Sequence, residues 1–130
     1  MRMIPFECNG ATYHLLLNGA ALFDIYDQFG DDVSVFDPIN GKGRESFEAT
    51  CWYLEELAIQ GELYRRKLGY DKGPVPSADM FLLELSPLDV PRARAAVRMA
   101  IQAGFAREES EPPKEIDKGL LELEKKTGAG

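Results

Sequence analysis

The chain has 130 residues, 45% of them hydrophobic and 28% charged, with a formal net charge of -7. That size and balance suit one globular domain whose core closes without metal or disulfide staples. The acid gathers at the start: residues 1–40 hold one base, Arg2, against six acids, residues 41–105 hold nine of each sign, and residues 106–130 hold five bases and seven acids. Such an acidic first third argues against nucleic acid as the main partner, because phosphate binding needs a positive field.

Residues 3–17 read as a β-hairpin. Asn9-Gly10 stands between MIPFEC and ATYHLLL, and supplies the two positive-φ positions of a type I′ turn. Pro5 cannot donate to a ladder, so it should lie on an edge or face outward. Tyr13, Leu15 and Leu17 share one face of the second strand, while Leu16 on the other face suggests cover there too. Asn18 reads as the cap of a helix over about 20–29, with Gly30 as its stop. Leu22, Ile25, Tyr26 and Phe29 form its apolar face. Asp31 to Gly43 reads as a loop broken by Pro38, Gly41 and Gly43, with a short extended piece at Val33 to Phe36.

The longest helical pattern covers about 45–68. Phe47, Cys51, Leu54, Ala58 and Gly61 recur at steps of four and three, and Leu57, Tyr64 and Leu68 widen the stripe. Glu45, Glu48, Glu55, Glu56 and Glu62 fall early or outside it, and Arg65, Arg66 and Lys67 complement the helix dipole at the end. Gly61 inside a helix costs about 1 kcal/mol against Ala, so it should admit the close approach of another backbone. A capped short helix follows at about 78–85, then a tight turn at Ser86 to Val90. A last helix spans about 91–103, with Gly104 as its stop and Arg92, Arg94 and Arg98 facing out. Residues 106–130 form a charged tail, expected to be partly disordered or helical around Leu120, Leu121 and Leu123. The fold class is therefore α+β, mainly α: an N-terminal hairpin and four to five helices packed around a long central one, in a compact domain over 1–105.

No catalytic, cofactor or metal constellation emerges. His14 is the only histidine, without a neighbouring Ser or Cys to activate. One His and two distant Cys do not match zinc spacing. Asp24, Asp27, Asp31 and Asp32 lack the register of a calcium loop, and NGKG at 40–43 lacks that of a phosphate loop. The opening MRMIPFEC has no long apolar run and nothing approaches a membrane span. The expectation is a cytoplasmic protein with Cys8 and Cys51 as buried, reduced thiols. Partner-binding candidates are Trp52 and Tyr53, placed on the flanks of the long helix, and Arg94 and Arg98, one turn apart on the last helix.

The order of these elements resembles the tail assembly chaperones of long-tailed phages and prophages. The residues that carry the resemblance are FECNGATYHLLLNGAALFDIYDQFG over 6–30, the long helix ending GELYRRKLGYD, and the final IQAGF at 101–105. The resemblance implies a non-enzymatic, self-associating protein of the host-cell cytoplasm. Such a protein binds the long hydrophobic tape measure protein and helps recruit tail tube protein. From a different class, the alternative is a small acidic phage or bacterial adaptor or inhibitor that acts through its acidic surface.

Overall fold

The computed structural model describes residues 2–106. Strands β1 (Ile4–Cys8) and β2 (Ala11–Leu15) pair antiparallel, with Ile4 opposite Leu15 and Cys8 opposite Ala11. The turn between them has φ of 48° at Asn9 and 80° at Gly10, as a type I′ turn requires. Ile4, Phe6 and Cys8 are buried while Pro5 and Glu7 face out, the outward position expected for Pro5. Helices α1 (Gly19–Phe29), α2 (Asp37–Asn40), α3 (Arg44–Lys67), α4 (Ala78–Glu84) and α5 (Val90–Phe105) follow. The mainly helical α+β fold expected from the sequence is the fold observed.

Helix α3 is the centre. It packs against β2, α1, α2, α4 and α5, and Cys51, Leu54, Leu57 and Ala58 along it are buried. The contact with β2 is backbone to backbone. The Leu16 N–H donates to the carbonyl of Leu57 at 3.0 Å. A Cβ built on Gly61 would fall on the His14 carbonyl, overlapping its oxygen and lying 2.7 Å from its carbon. Glycine stands in mid-helix because the strand lies directly on it. This docking also buries both faces of the strand end, with Leu15, Leu16 and Leu17 all covered. Helix α4 closes the buried face of the hairpin: Phe81 lies edge-on to Tyr13 at 5.3 Å and to Phe6 at 6.1 Å.

The caps are local and legible. The Asn18 side chain accepts from the Ala21 N–H at 2.9 Å, and Ser77 accepts from the Met80 N–H at 3.1 Å. Glu55 reaches across from α3 to accept the Ala78 N–H at 2.6 Å, which ties the start of α4 to the central helix. Ser86 and Asp89 form a reciprocal capping box around a 3₁₀ turn at Pro87–Asp89, and Pro91 sits in the first turn of α5, where no donor is needed.

Five expectations are corrected. Pro38 does not simply break the loop; it starts the one-turn helix α2, whose Ile39 is wholly buried. Gly104 does not stop α5. It lies inside the last turn because a Cβ there would come within 2.6 Å of the Leu17 Cβ. Leu68 leaves the inner stripe and is 55% exposed, since α3 ends at Lys67. Glu62 is not outside but 4% exposed. It gathers Arg65 Nη1 at 2.9 Å, Arg66 Nε at 2.7 Å and the Gly73 N–H at 2.5 Å, which folds the following loop back along the helix. Tyr53, expected at a half-open flank, is fully buried. The expected tail, residues 106–130, lies outside the described residues from 107 onward.

Candidate functional site

The four partner-binding candidates do not form one surface. Tyr53 is a core residue whose hydroxyl donates to the Val35 carbonyl at 2.6 Å, pinning the loop before α2. Burial and then the charge of Asp37 push that phenol far above its usual range. Trp52 is half-buried and meets Phe29 edge-on at 5.2 Å, where it helps close α1 onto α3. The Arg98 guanidinium donates to Asn40 Oδ1 at 3.2 Å, joining α5 to α2. Arg94 lines a concave surface.

That surface lies where the start of α3 meets the corner between α4 and α5. Gly43, Phe47, Leu85, Pro87, Val90 and Arg94 line an open pocket of about 390 Å3. Five of the six are apolar or glycine. Arg94 Nε is buried beside it without a hydrogen-bond partner among the described residues, which corrects the expectation that Arg94 simply faces out. Two leucines of this corner are uncovered: Leu88, next in sequence to the lining residue Pro87, is 90% exposed, and Leu83 of α4 is 86% exposed. A seven-residue helix can bury one stripe only. In α4 that stripe is Phe81, continued by Leu85 just past its end, so Leu82 and Leu83 of the run FLLEL are left outside.

A second cluster joins α1 to α3. Of the acidic residues Asp24, Asp27, Asp31 and Asp32, all exposed, Asp24 lies against Glu56. Burial, then a hydrogen bond with Asp24 and the charge of Asp24, push the Glu56 carboxyl up to about 7, with Gln60 acting in the opposite direction. With both groups ionised neither can donate, and Glu56 Oε2 is buried without a partner. A proton on Glu56 gives the pair its donor. The sign follows. The folded state holds this proton between pH 4.5 and about 7 while the unfolded chain releases it, so stability falls as pH rises through that window. Glu56→Gln should therefore stabilise the protein above pH 7, by about 1 kcal/mol after solvent screening. It should also flatten the fall in urea midpoint between pH 5 and 8; an unchanged slope counts against the pairing.

The thiols are buried. Burial, and then Glu48, raise Cys51 to about 11; burial and Glu84 raise Cys8, with Arg92 opposing. Both stay protonated and unreactive near neutrality. Burial and Arg65 lower the pKa of His14, which Glu62 partly offsets. No group of three or more His, Cys, Asp or Glu able to hold a metal ion occurs among the described residues, and no helix among them is long and apolar enough to cross a membrane. No protein-family model matches the chain, and no curated protein or solved structure is significantly similar to it.

Proposed function

We propose that this protein is a non-enzymatic assembly chaperone of the phage tail type. It binds the tape measure protein in the host cytoplasm, keeps that long apolar client soluble, and assists tail tube assembly as a homo-oligomer. The order of hairpin and helices over residues 3–105 motivates the reading. The observation that carries it is the corner between α4 and α5, where Leu88, 90% exposed, adjoins the lining residue Pro87 of an apolar pocket, and Leu83, 86% exposed, stands on the short helix that leads to it. Apolar surface left uncovered beside a pocket is where another molecule can bind. A helical client supplies leucine-sized side chains at intervals of one turn, which suits a pocket of this volume flanked by exposed leucines.

The test is co-expression with a phage tape measure protein. The wild-type chain should keep the client in the soluble fraction and co-purify with it. Leu83→Asp combined with Leu88→Asp should lose both effects while the domain stays folded, because neither side chain contributes to the core. Retention of full activity by the double variant overturns the assignment of the corner.

The alternative is an adaptor or inhibitor that works through its acidic surface. The exposure of Asp24, Asp27, Asp31, Asp32 and Asp37 favours it. Reversing the charges of Asp27, Asp31 and Asp32 separates the two readings: an adaptor loses its partner, and the chaperone keeps its client.

A further inference from the structure

We propose that the pocket between α3 and α5 selects an acidic amphipathic helix, taking one apolar side chain into the Phe47–Leu85–Val90 surface and a carboxylate onto Arg94. The inference rests on the α4–α5 corner being the binding face, and names the chemistry of what it binds. It does not depend on the phage reading.

Three observations converge on a carboxylate. First, the local charge opposes that of the chain. The protein carries -7 overall, yet α5 holds Arg92, Arg94 and Arg98 and no acidic residue. Second, two of those arginines are already occupied. Arg92 Nη1 donates to the Glu7 carbonyl at 2.8 Å, its guanidinium lies over the Phe6 ring at 4.5 Å, and Asp89 is 3.6 Å away. Arg98 is bonded to Asn40. Arg94 alone of the three lines the pocket. No carboxylate lies within salt-bridge distance of it among the described residues, and its Nε is buried without an acceptor. A carboxylate is the acceptor best matched to a guanidinium fork left without one. Third, the pocket is walled by the start of α3. That helix has 24 residues, and its cap, Gly43, has no side chain to satisfy the first-turn amides. The positive end of its dipole reinforces the preference for negative charge.

The apolar lining disfavours a free small anion as the occupant, since an anion alone would leave Phe47, Leu85 and Val90 uncovered. It also sets the spacing. A side chain entering between Phe47 and Val90 would be followed by the carboxylate within one helical turn, at i+3 or i+4 on the same face.

The experiment uses the full chain and two fluorescein-labelled, end-blocked helical peptides with identical leucine positions. One carries Glu at i+4 from each leucine, the other Lys. Fluorescence anisotropy at low salt should show saturable binding of the Leu/Glu peptide and at least tenfold weaker binding of the Leu/Lys peptide. Arg94→Gln should weaken the Leu/Glu peptide about tenfold and leave the Leu/Lys peptide unchanged. Raising the salt on the wild-type chain should weaken the Leu/Glu peptide, although the chain as a whole repels it, which keeps the test decisive even if Arg94→Gln does not fold. Equal binding of both peptides, lost in the Leu83→Asp, Leu88→Asp variant, retains the corner and overturns the carboxylate. Failure of both peptides to bind the wild-type chain overturns the corner as well. If light scattering then shows a dimer that the same double variant disrupts, the occupant is a second copy, and the proposal falls.

Discussion

Gly61→Ala should destabilise this protein by about 3 kcal/mol or more, although alanine is the better helix former by about 1 kcal/mol. The reversal comes from what lies over the glycine. A methyl group there would overlap the His14 carbonyl, which is backbone and has no rotamer to change. To make room, the end of β2 must lift from α3. That movement breaks the bond from the Leu16 N–H to the Leu57 carbonyl and opens the cover over Leu15, Leu16 and Leu17. The two contacts lock together: residues 14 and 16 are two apart on the strand, and residues 57 and 61 are one turn apart on the helix. Either contact holds the geometry the other needs. Equilibrium urea unfolding of the two proteins measures the difference. A neutral or stabilised Gly61→Ala would show that strand and helix are not held at this separation.

Gly61 also shows what a sequence can disclose. A glycine inside an otherwise regular helical stripe contradicts local propensity, and such a conflict is resolved by a tertiary contact that needs the space. The presence of a close neighbour was therefore legible, whereas its identity was not, because nothing in residues 46–69 names the strand that covers them. The hairpin turn and the Asn18 cap were legible for the same reason: the chemistry is local and the residue type nearly dictates the backbone. Gly104 shows the opposite case. Glycine after a helical run looks like a stop, yet it marks a second close approach, to Leu17, eighty-seven positions earlier in the chain. The misplacement of Tyr53 has a similar cause. Its position on the helical wheel is a flank of the α3–β2 contact, but that flank is covered by the loop carrying Val35, and no periodicity reports where a loop returns. The candidate site was least legible of all. Arg94 was visible as a cation on a face, but the pocket beside it needs the start of α3, about forty residues earlier, to fold against the corner at Leu85 to Arg94.

Glu62→Gln should lower stability by about 2 kcal/mol near neutrality, with the loss shrinking in acid. Burial by itself would raise the pKa of this carboxyl. The Gly73 N–H, Arg66 and Arg65 more than offset it and hold the pKa below the usual carboxylate value. The folded pKa therefore lies below the unfolded one. The contribution of Glu62 is fully present above about pH 4.5 and is lost as pH falls through the lowered folded value. Glutamine has nearly the same shape, yet it can accept only through one oxygen, and its amide would face a guanidinium, donor against donor. Arg66, 36% exposed at its side chain, can turn to solvent, while Arg65 at 18% has less freedom and stays against the Tyr70 ring, 5.2 Å from its centroid. The loop from Tyr70 to Pro76 then loses its anchor, so the Gly73 amide should exchange with solvent faster in Glu62→Gln than in the wild-type protein. The contrast with Glu56→Gln makes the test severe. The same chemical change, six residues apart on one helix, should stabilise at Glu56 and destabilise at Glu62, because burial at Glu56 is met by another carboxyl and at Glu62 by two guanidinium groups and a backbone amide. Urea midpoints of both variants at pH 4 and pH 8 should move in opposite directions at the higher pH. Shifts of the same sign at pH 8 would mean that burial, rather than the partner groups, governs both sites.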